Sequence, residues 1–258
     1  MLFRCFVPLQ KSLKDDVILV TGAASGIGRL MSYKLASLKP RMIVCWDMNA
    51  DENQKTSENI MKMYPGVQSL HFQVDLSNKV KTAEVAAQTK DAVKQAFKNN
   101  SLRKDSYVSM LINNAGIVTG KKILDCPDSL MQLTMDVNTN AHFWTIKQFL
   151  PEMMEKNRGH IVTIASSAGL FGVPGLTDYC ASKFGAVGVT ESLKLEIYKE
   201  KKAVNVTLVC PYFIDTGMFS GVVSKFNWFL PIIKPDVMVS RIVKGIQGND
   251  YWQCVKFY

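Results

Sequence analysis

The 258-residue sequence lacks several features that would assign it to a specialised class of protein. It has no run of about 20 apolar residues, so a membrane-spanning helix is not expected. It has no internal repeat and no low-complexity linker, and no CxxC pair. Its scattered cysteines therefore indicate reduced thiols in a cytosol-facing protein, with no metal site and no disulfide scaffold. The cysteines are Cys5, Cys45, Cys126, Cys180, Cys210 and Cys254.

The charge is basic, but no nucleic-acid motif accompanies it. The formal net charge is +9, and the lysines are interleaved with acidic and apolar residues in segments such as "KDAVKQAFKNN". This pattern favours a solvated basic surface, with some attraction to anionic lipid headgroups, over a nucleic-acid partner. The opening "MLFRCFVPLQKSL" is a short apolar segment that Arg4 interrupts. We interpret residues 1–14 either as a shallow interfacial anchor or as a packed or disordered N-terminus, followed by one domain over residues 15–258.

Apolar, β-rich runs alternate with longer helical patterns along the whole domain. The runs are "VILVT", "RMIVCW", "VQSLHFQV", "YVSMLIN", "HIVTIAS", "VNVTLVC" and "YWQCVKF". Helical patterns lie between them, near residues 26–38, 52–63, 78–97, 129–156, 177–200 and 235–247. Strands separated by helices form βαβ crossovers, so the sequence predicts a single α/β domain of Rossmann type, with a doubly wound, seven-stranded parallel sheet.

A glycine-rich loop, "TGAASGIGR", follows the first predicted strand and leads into a helix. Gly22 permits a tight turn, Gly26 lets the backbone approach a pyrophosphate, and Gly28 lets the helix pack on the strand. The helix N-terminus supplies free N–H groups and positive potential to phosphates. The spacing is GxxxGxG, and its position between strand and helix predicts a dinucleotide site.

Asp47 ends the second predicted strand, 19 residues beyond Gly28. A carboxylate there accepts both ribose hydroxyls of NAD and repels the 2′-phosphate of NADP. The alternative is that Asp47 only begins a turn. Arg29 and Arg41 argue for NADP, but the position of Asp47 at the strand end leads us to expect NAD.

Polar residues also end the third and fourth predicted strands. Asp75 lies where the adenine of a bound dinucleotide is expected. The amides of Asn113 and Asn114 are predicted mainly to bridge neighbouring strands, and Gly116 leaves room for the cofactor.

The stretch "DYCASKF" places Tyr179 four residues before Lys183, on one face of a helix. A cation beside a phenol favours the phenolate, which makes a usable proton acceptor. Spacing alone does not decide, because Tyr198 and Lys202 have the same separation.

Together, "TGAASGIG", Asp75, "NNAG", Asn138 in "DVN", Ser166 in "IASS" and "YCASK" resemble the short-chain dehydrogenase/reductase family over residues 15–258. In the family pattern a serine precedes the reactive tyrosine by 13 residues, as Ser166 precedes Tyr179, so the resemblance selects Tyr179. It implies that Tyr179 exchanges the substrate proton and that Lys183 lowers the pKa of Tyr179 and binds the nicotinamide ribose. Ser166 then binds the substrate oxygen, and Asn138 helps hold a relay water. Further cofactor contacts implied by the resemblance are Ser25, Ile27, Leu76, Asn114 and Thr216. One departure is Pro211-Tyr212, where the family usually has Pro-Gly.

Apolar residues dominate positions 216–235, where this fold places its substrate loop, which favours a lipophilic alcohol. Segments such as "AHFWTIKQFLP" and "DYCASKFGAVG" are similar to the retinol dehydrogenase branch of the family. The resemblance implies a retinoid substrate, with a steroid as the runner-up, and a homodimer. It implies a cytosol-facing place on the endoplasmic reticulum membrane or on lipid droplets, or a cytoplasmic one if the short N-terminus does not anchor. A catalytically idle scaffold remains the alternative of another class, and the complete set Asn138, Ser166, Tyr179 and Lys183 argues against it.

Overall fold

A computed structural model describes residues 10–99, 106–212, 214 and 233–254 of the chain. One parallel sheet lies at its centre, with strand order β3-β2-β1-β4-β5-β6-β7. The predicted single-domain parallel α/β fold is confirmed. The strands are β1 (Val17–Thr21), β2 (Met42–Asp47), β3 (Gln68–Gln73), β4 (Met110–Asn113), β5 (Gly159–Ile164), β6 (Val204–Cys210) and β7 (Trp252–Cys254).

Helices cover both faces of the sheet. Side chains of α1, α2 and α7 share one apolar core, and side chains of α3, α5 and α6 share the other. Among the described residues, no helix combines the length and the apolarity needed to cross a membrane. The helices are α1 (Gly26–Ala36), α2 (Ala50–Met63), α3 (Lys79–Phe97), α4 (Asp128–Met135), α5 (Ala141–Glu155), α6 (Thr177–Lys199) and α7 (Pro235–Gly248).

Alternation along β1 explains how one strand serves two cores. Ile18 and Val20 belong to the core with α1 and α7, whereas Val17 and Leu19 belong to the core with α3, α5 and α6. Successive side chains of a strand point to opposite faces, and a strand covered on both faces reads as a continuous apolar run. The run "VILVT" therefore needs no polar residue except at its end.

The predicted helix over residues 129–156 is interrupted. A π-helical turn, Asp136–Asn140, separates α4 from α5. The side chain of Asn138 in this turn hydrogen-bonds the backbone of Ile117 and the hydroxyl of Ser182, so tertiary contacts accompany the change in winding. Such turns are often found at functional sites.

The strand order reverses direction between β1 and β4, which puts a crevice at their carboxyl ends. The Asn114 amide donates to the Thr21 carbonyl at 2.8 Å, and the Thr21 hydroxyl oxygen accepts from the backbone N–H of Asn114 at 2.9 Å. The predicted bridging role of Asn114 is confirmed.

Gly28, in the first turn of α1, lies against the end of β1. A Cβ atom there would stand 2.0 Å from the Gly22 carbonyl oxygen and 2.5 Å from Asn114 Nδ2. Any side chain at this position therefore forces the helix away from the strand.

Replacement of Gly28 by Ala is expected to lower the free energy of unfolding by about 3 kcal/mol, because the new methyl overlaps the backbone. The matched control is Gly188→Ala in α6, where a Cβ meets no atom within 4 Å. It should raise the stability by about 0.5–1 kcal/mol, since alanine restricts the unfolded chain. Thermal unfolding of both variants measures the difference. Equal melting temperatures would contradict the close packing of Gly28.

Candidate active site

The carboxyl ends of the strands surround a cleft of about 610 Å³. Of the predicted site residues, only Asn138 does not line it among those that the structure describes; Thr216 and residues 216–232 of the predicted substrate loop lie outside the described residues. The predicted residues in the cleft are Gly22, Ser25, Gly26, Ile27, Gly28, Asp47, Asp75, Leu76, Asn114, Gly116, Ser166, Tyr179 and Lys183. Residues dispersed over 160 positions of sequence thus meet at one edge of the sheet.

The glycine loop presents the start of α1 to this cleft. Gly22 has a φ of +70°, a conformation that favours glycine, and turns the chain at the end of β1. Ser25 is the N-cap of α1, and its side chain makes no capping hydrogen bond. The first amides of the helix are therefore left without a side-chain acceptor, and they can bind an anionic group.

Two charged groups flank the loop, and their partners differ. Asp47 Oδ2 accepts from the Ala24 N–H and Oδ1 from the Asn49 N–H, both at 2.9 Å. Arg29 donates to the Ala24 carbonyl and forms an ion pair with Glu52 at 2.6 Å. The carboxylate of Asp47 thus lines the cleft beside the loop, while the Arg29 guanidinium is held by Glu52.

Tyr179 and Lys183 lie in the first turns of α6 and are both buried, 5% and 3% exposed. The Tyr179 phenol is hydrogen-bonded to the Ser166 side chain, and Ser166 Oγ also accepts from the Ala168 N–H at 3.1 Å. Lys183 Nζ donates to the Ile164 carbonyl at 3.1 Å and lies 5.7 Å from the centre of the Tyr179 ring. The two buried side chains and the half-buried Ser166 form one polar cluster at the end of β5.

Burial dominates the protonation of this group. It raises the pKa of Tyr179 to about 12, against the opposing effect of the Ser166 hydrogen bond. It lowers the pKa of Lys183 to about 8. The expectation that Lys183 gives Tyr179 a lowered pKa therefore differs from the net shift in this structure. The reason is that removing a phenolate from water outweighs the hydrogen bond from Ser166, the main effect that favours the phenolate.

The second tyrosine, Tyr198, is 80% exposed near the end of α6. The prediction that it lies on a solvated helix end is confirmed. Of the two Tyr-Lys pairs with the same spacing, only the one formed by Tyr179 and Lys183 lines the cleft.

Asn138 is fully buried, and its side chain hydrogen-bonds the backbone of the segment after β4. Its Nδ2 donates to the Ile117 carbonyl and to Ser182 Oγ, each at 2.9 Å, and its Oδ1 accepts from the Ile117 N–H at 2.8 Å. Both amide hydrogens are thereby used. Asn138 fixes the backbone beside Gly116 against α6, and any water that it holds must bind to its oxygens.

Two buried titratable residues, His142 and Asp178, were not identified from the sequence. Both ring nitrogens of His142 lack a hydrogen-bond partner among the described residues. Burial and then the charge of Lys183 lower the pKa of His142 to about 3, so the ring is neutral at pH 7. Asp178 accepts from the hydroxyls of Thr119 and Thr134 at 2.7 and 3.1 Å. His142 follows Asn138 by four residues, so a helical pattern would place both on one helix face. This spacing was the only feature of the sequence that could have pointed to His142.

A second, apolar cavity of about 210 Å³ adjoins the cleft next to Tyr179. Its walls come from the segment between β5 and α6, and from Tyr212 after β6. Sequence reasoning did not single out most of these residues, because they follow a strand end without a recognisable motif. The lining residues are Ser166, Ser167, Ala168, Phe171, Gly172, Val173, Pro174, Leu176, Tyr179 and Tyr212.

Comparisons with known proteins agree with this geometry. The family model for short chain dehydrogenase matches residues 16–226. The chain is 44% identical to epidermal retinol dehydrogenase 2 of Homo sapiens over 95% of its own length and 75% of that protein's. It is 42% identical to retinol dehydrogenase 10 of Homo sapiens over 96% of its own length and 76% of that protein's.

Solved structures with the same fold contain either dinucleotide. A short chain dehydrogenase/reductase from Burkholderia phymatum in complex with NAD has a TM-score of 0.78 and 23% identity, covering 94% of this chain and 89% of its own. A metagenomic short-chain oxidoreductase in complex with NADP has a TM-score of 0.73 and 26% identity, covering 94% and 96%.

The buried Lys183 predicts a stability that depends on pH. Its folded pKa of about 8 lies below the ordinary 10.5, so between these values the unfolded chain binds the extra proton. Wild-type stability relative to Lys183→Met should therefore rise with pH across this window, on the order of 3 kcal/mol. Denaturant unfolding at pH 7 and pH 10 measures the change. The control Lys199→Met, exposed on the same helix, should differ little from wild type. If the difference in the free energy of unfolding between wild type and Lys183→Met were the same at pH 7 and pH 10, the Lys183 ammonium would not be desolvated as described.

Proposed function

This chain belongs to the short-chain dehydrogenase family and is an oxidoreductase of the alcohol dehydrogenase type, and we propose that it oxidises all-trans-retinol to retinal with NAD. The observation that carries the proposal is the position of Tyr179 and Ser166, whose side chains line both the cleft and the apolar cavity. A lipophilic alcohol in the cavity would place its hydroxyl against both side chains. Relatives named retinol dehydrogenases, 42–44% identical, support the retinoid.

The residues of the cleft fit a nicotinamide dinucleotide. The start of α1 would bind the pyrophosphate, Asp47 the adenosine ribose, and Asp75 and Leu76 the adenine side of the cleft. Lys183 would bind the nicotinamide ribose. Thr216, which lies outside the described residues, is proposed from the family resemblance as a contact to the nicotinamide. When bound, this cofactor supplies the hydride acceptor for the oxidation and the hydride donor for the reverse reaction.

Tyr179 would exchange the proton of the substrate oxygen, as general base in oxidation and general acid in reduction. With a pKa of about 12 it holds its proton at neutral pH in this state, which suits donation to a carbonyl oxygen. In the oxidative direction the phenolate is needed. The Ser166 hydrogen bond and the Lys183 cation both favour that form.

Ser166 would orient the substrate oxygen beside Tyr179, because its hydroxyl is already hydrogen-bonded to the phenol. Asn138 would act by position, since its side chain holds the backbone of Ile117, which follows Gly116, where a Cβ atom would lie 3.4 Å from Lys183 Nζ. A relay water at this point would accept the proton from the Lys183 side of the site.

We propose NAD over NADP because of the charges at the loop. The Asp47 carboxylate faces the cleft, where it would repel a 2′-phosphate. Arg29 is the group best placed to attract that phosphate, and its guanidinium is engaged by Glu52. Reading an NADP phosphate would require Arg29 to leave this ion pair.

A hydroxysteroid is the second candidate substrate, supported by the same apolar cavity. The idle scaffold is disfavoured because Tyr179 and Lys183 are buried and, with the half-buried Ser166, occupy hydrogen-bonded positions. We also propose a homodimer with peripheral contact to a membrane or lipid droplet. Exposed Leu133, Phe143 and Phe184, on the adjoining helices α4, α5 and α6, are apolar surface that a second copy would cover.

The first test is turnover by Tyr179→Phe. Loss of the phenol hydroxyl should reduce NADH formation from all-trans-retinol by about 100-fold or more, while NAD binding stays within a few-fold, because the hydroxyl moves the proton. The matched control Tyr198→Phe removes the exposed hydroxyl on the same helix and should leave the rate nearly unchanged. NADH absorbance with retinols, steroids and simple alcohols measures both. Equal rates in the two variants would overturn the assignment.

The second test concerns the cofactor. Wild type should show a kcat/KM at least tenfold higher with NAD than with NADP, since a charge pair at intermediate dielectric amounts to a few kcal/mol at most. Asp47→Ala should narrow this gap mainly by losing efficiency with NAD. The control Asp51→Ala removes an exposed carboxylate nearby and should keep the preference. A wild-type preference for NADP would contradict the proposal and would indicate that Arg29 binds the 2′-phosphate.

A further inference from the structure

The cleft and the apolar cavity have only three lining residues in common among those described. These are Ser166, Tyr179 and Tyr212. The first two are the hydroxyl pair to which the proposed function assigns the substrate oxygen. The third follows Pro211, at a position where the family pattern usually has glycine. A large aromatic side chain therefore stands at the boundary where a glycine would leave open space.

Hydrogen bonds to the segment after β5 hold the backbone that leads into Tyr212. The carbonyl of Pro211 accepts from the Ser167 N–H at 2.8 Å, and the carbonyl of Val209 accepts from the Ala165 N–H at 2.8 Å. The segment that carries Tyr212 is thus tied, residue by residue, to the segment that carries Ser166. The ring is partly buried and belongs to the same wall as the two hydroxyls.

Hydride transfer requires the two reacting carbons to lie about 3–3.5 Å apart. The hydride-accepting carbon of the nicotinamide would lie in the cleft, and the carbinol carbon of the alcohol would lie at the mouth of the cavity. Both carbons must then lie at the boundary that the two spaces share. Any side chain on that boundary faces the carbinol carbon and its substituents. Tyr212 lines both spaces at this boundary, so its ring is a neighbour that a second carbon substituent would meet.

We propose that Tyr212 is a specificity-determining residue that contacts the substrate at the carbinol carbon and selects primary over secondary alcohols. This inference rests on the proposed function and deepens it. A primary alcohol carries one carbon substituent, which extends into the apolar cavity, and a hydrogen that fits against the ring. A secondary alcohol presents a second substituent to Tyr212. The cavity, at about 210 Å³, is smaller than sites that enclose a drug-sized ligand, so it receives mainly the reacting end of the molecule.

The test uses two flat alcohols that differ by one methyl group on the carbinol carbon, trans-cinnamyl alcohol and trans-4-phenyl-3-buten-2-ol. The whole chain is assayed with NAD, and kcat/KM is measured for wild type, Tyr212→Gly, Tyr212→Val and Tyr212→Phe. Both alcohols are also measured as competitive inhibitors of retinol oxidation, which gives an affinity ratio even where turnover is slow.

Wild type should prefer the primary alcohol by at least tenfold, the scale that one methyl group reaches in a packed site. Tyr212→Gly should reduce this ratio at least tenfold, mainly through a gain with the secondary alcohol, and Tyr212→Val should lie between. Tyr212→Phe should keep the ratio, because the ring and not its hydroxyl fills the space. The control Phe171→Ala, which alters the cavity away from the shared boundary, should lower both values by a similar factor and leave the ratio unchanged.

A ratio that stays within twofold of wild type in Tyr212→Gly or in Tyr212→Val overturns the inference, and so does a wild-type preference for the secondary alcohol. A Tyr212→Gly variant that fails to fold leaves the decision to Tyr212→Val. If the KM for NAD rises and the alcohol ratio does not move, Tyr212 belongs to the cofactor site alone and the inference is wrong. Failure of the proposed function is distinct, because wild type would then not oxidise retinol, whatever the ratio between the two test alcohols.

Discussion

The hydrogen bonds between the end of β1 and the end of β4 are the constraint on which the site depends. Thr21 accepts at both its hydroxyl and its carbonyl from Asn114, and the same hydroxyl accepts from the Ala115 N–H at 3.0 Å. These hydrogen bonds fix the relative positions of the ends of β1 and β4, between which the crevice opens where the strand order reverses. The glycine loop leaves one side of this junction, and the chain leading to Gly116 leaves the other. A shift of either strand end would therefore move both halves of the dinucleotide cleft at once.

Burial gives the site its chemistry and also makes it unstable. Tyr179 and Lys183 are taken out of water together, and their pKa values move apart, to about 12 for Tyr179 and about 8 for Lys183. Each shift disfavours the charged form: at pH 7 Tyr179 keeps its proton, and Lys183 remains mostly charged although burial makes that charge costly. The two apolar cores around β1 and β5 supply the stability that keeps these groups buried. Functional sites often retain such locally unfavourable groups.

Much of the fold and of the cleft could be predicted from the sequence, because both depend on local patterns, namely apolar runs and short motifs at their ends. The apolar runs become strands, Gly22, Asp47 and Ser166 lie at or just beyond strand ends as predicted, and Tyr179, which the family resemblance selected, lines the same cleft from α6. The interruption of the helix after Met135 could not be predicted, since it accompanies contacts of Asn138 with a segment 21 residues earlier. The direction of the Tyr179 shift was also missed. Burial depth is a property of the packed molecule, whereas the Tyr-Lys spacing shows only that a cation is near.

The same distinction governs the charges at the glycine loop. In the sequence, Arg29 and Asp47 argue in opposite directions about a phosphate, and only the position of Asp47 at a strand end favours its effect over that of Arg29. In the folded chain their availability differs. Arg29 has a carboxylate partner in Glu52, and Glu52 in turn pairs with Lys55 at 2.7 Å. Asp47 has no cation partner among the described residues; its oxygens accept only from backbone N–H groups, which leaves its negative charge directed at the cleft. A ligand therefore meets the uncompensated anion first, and what a residue is paired with decides more than its presence.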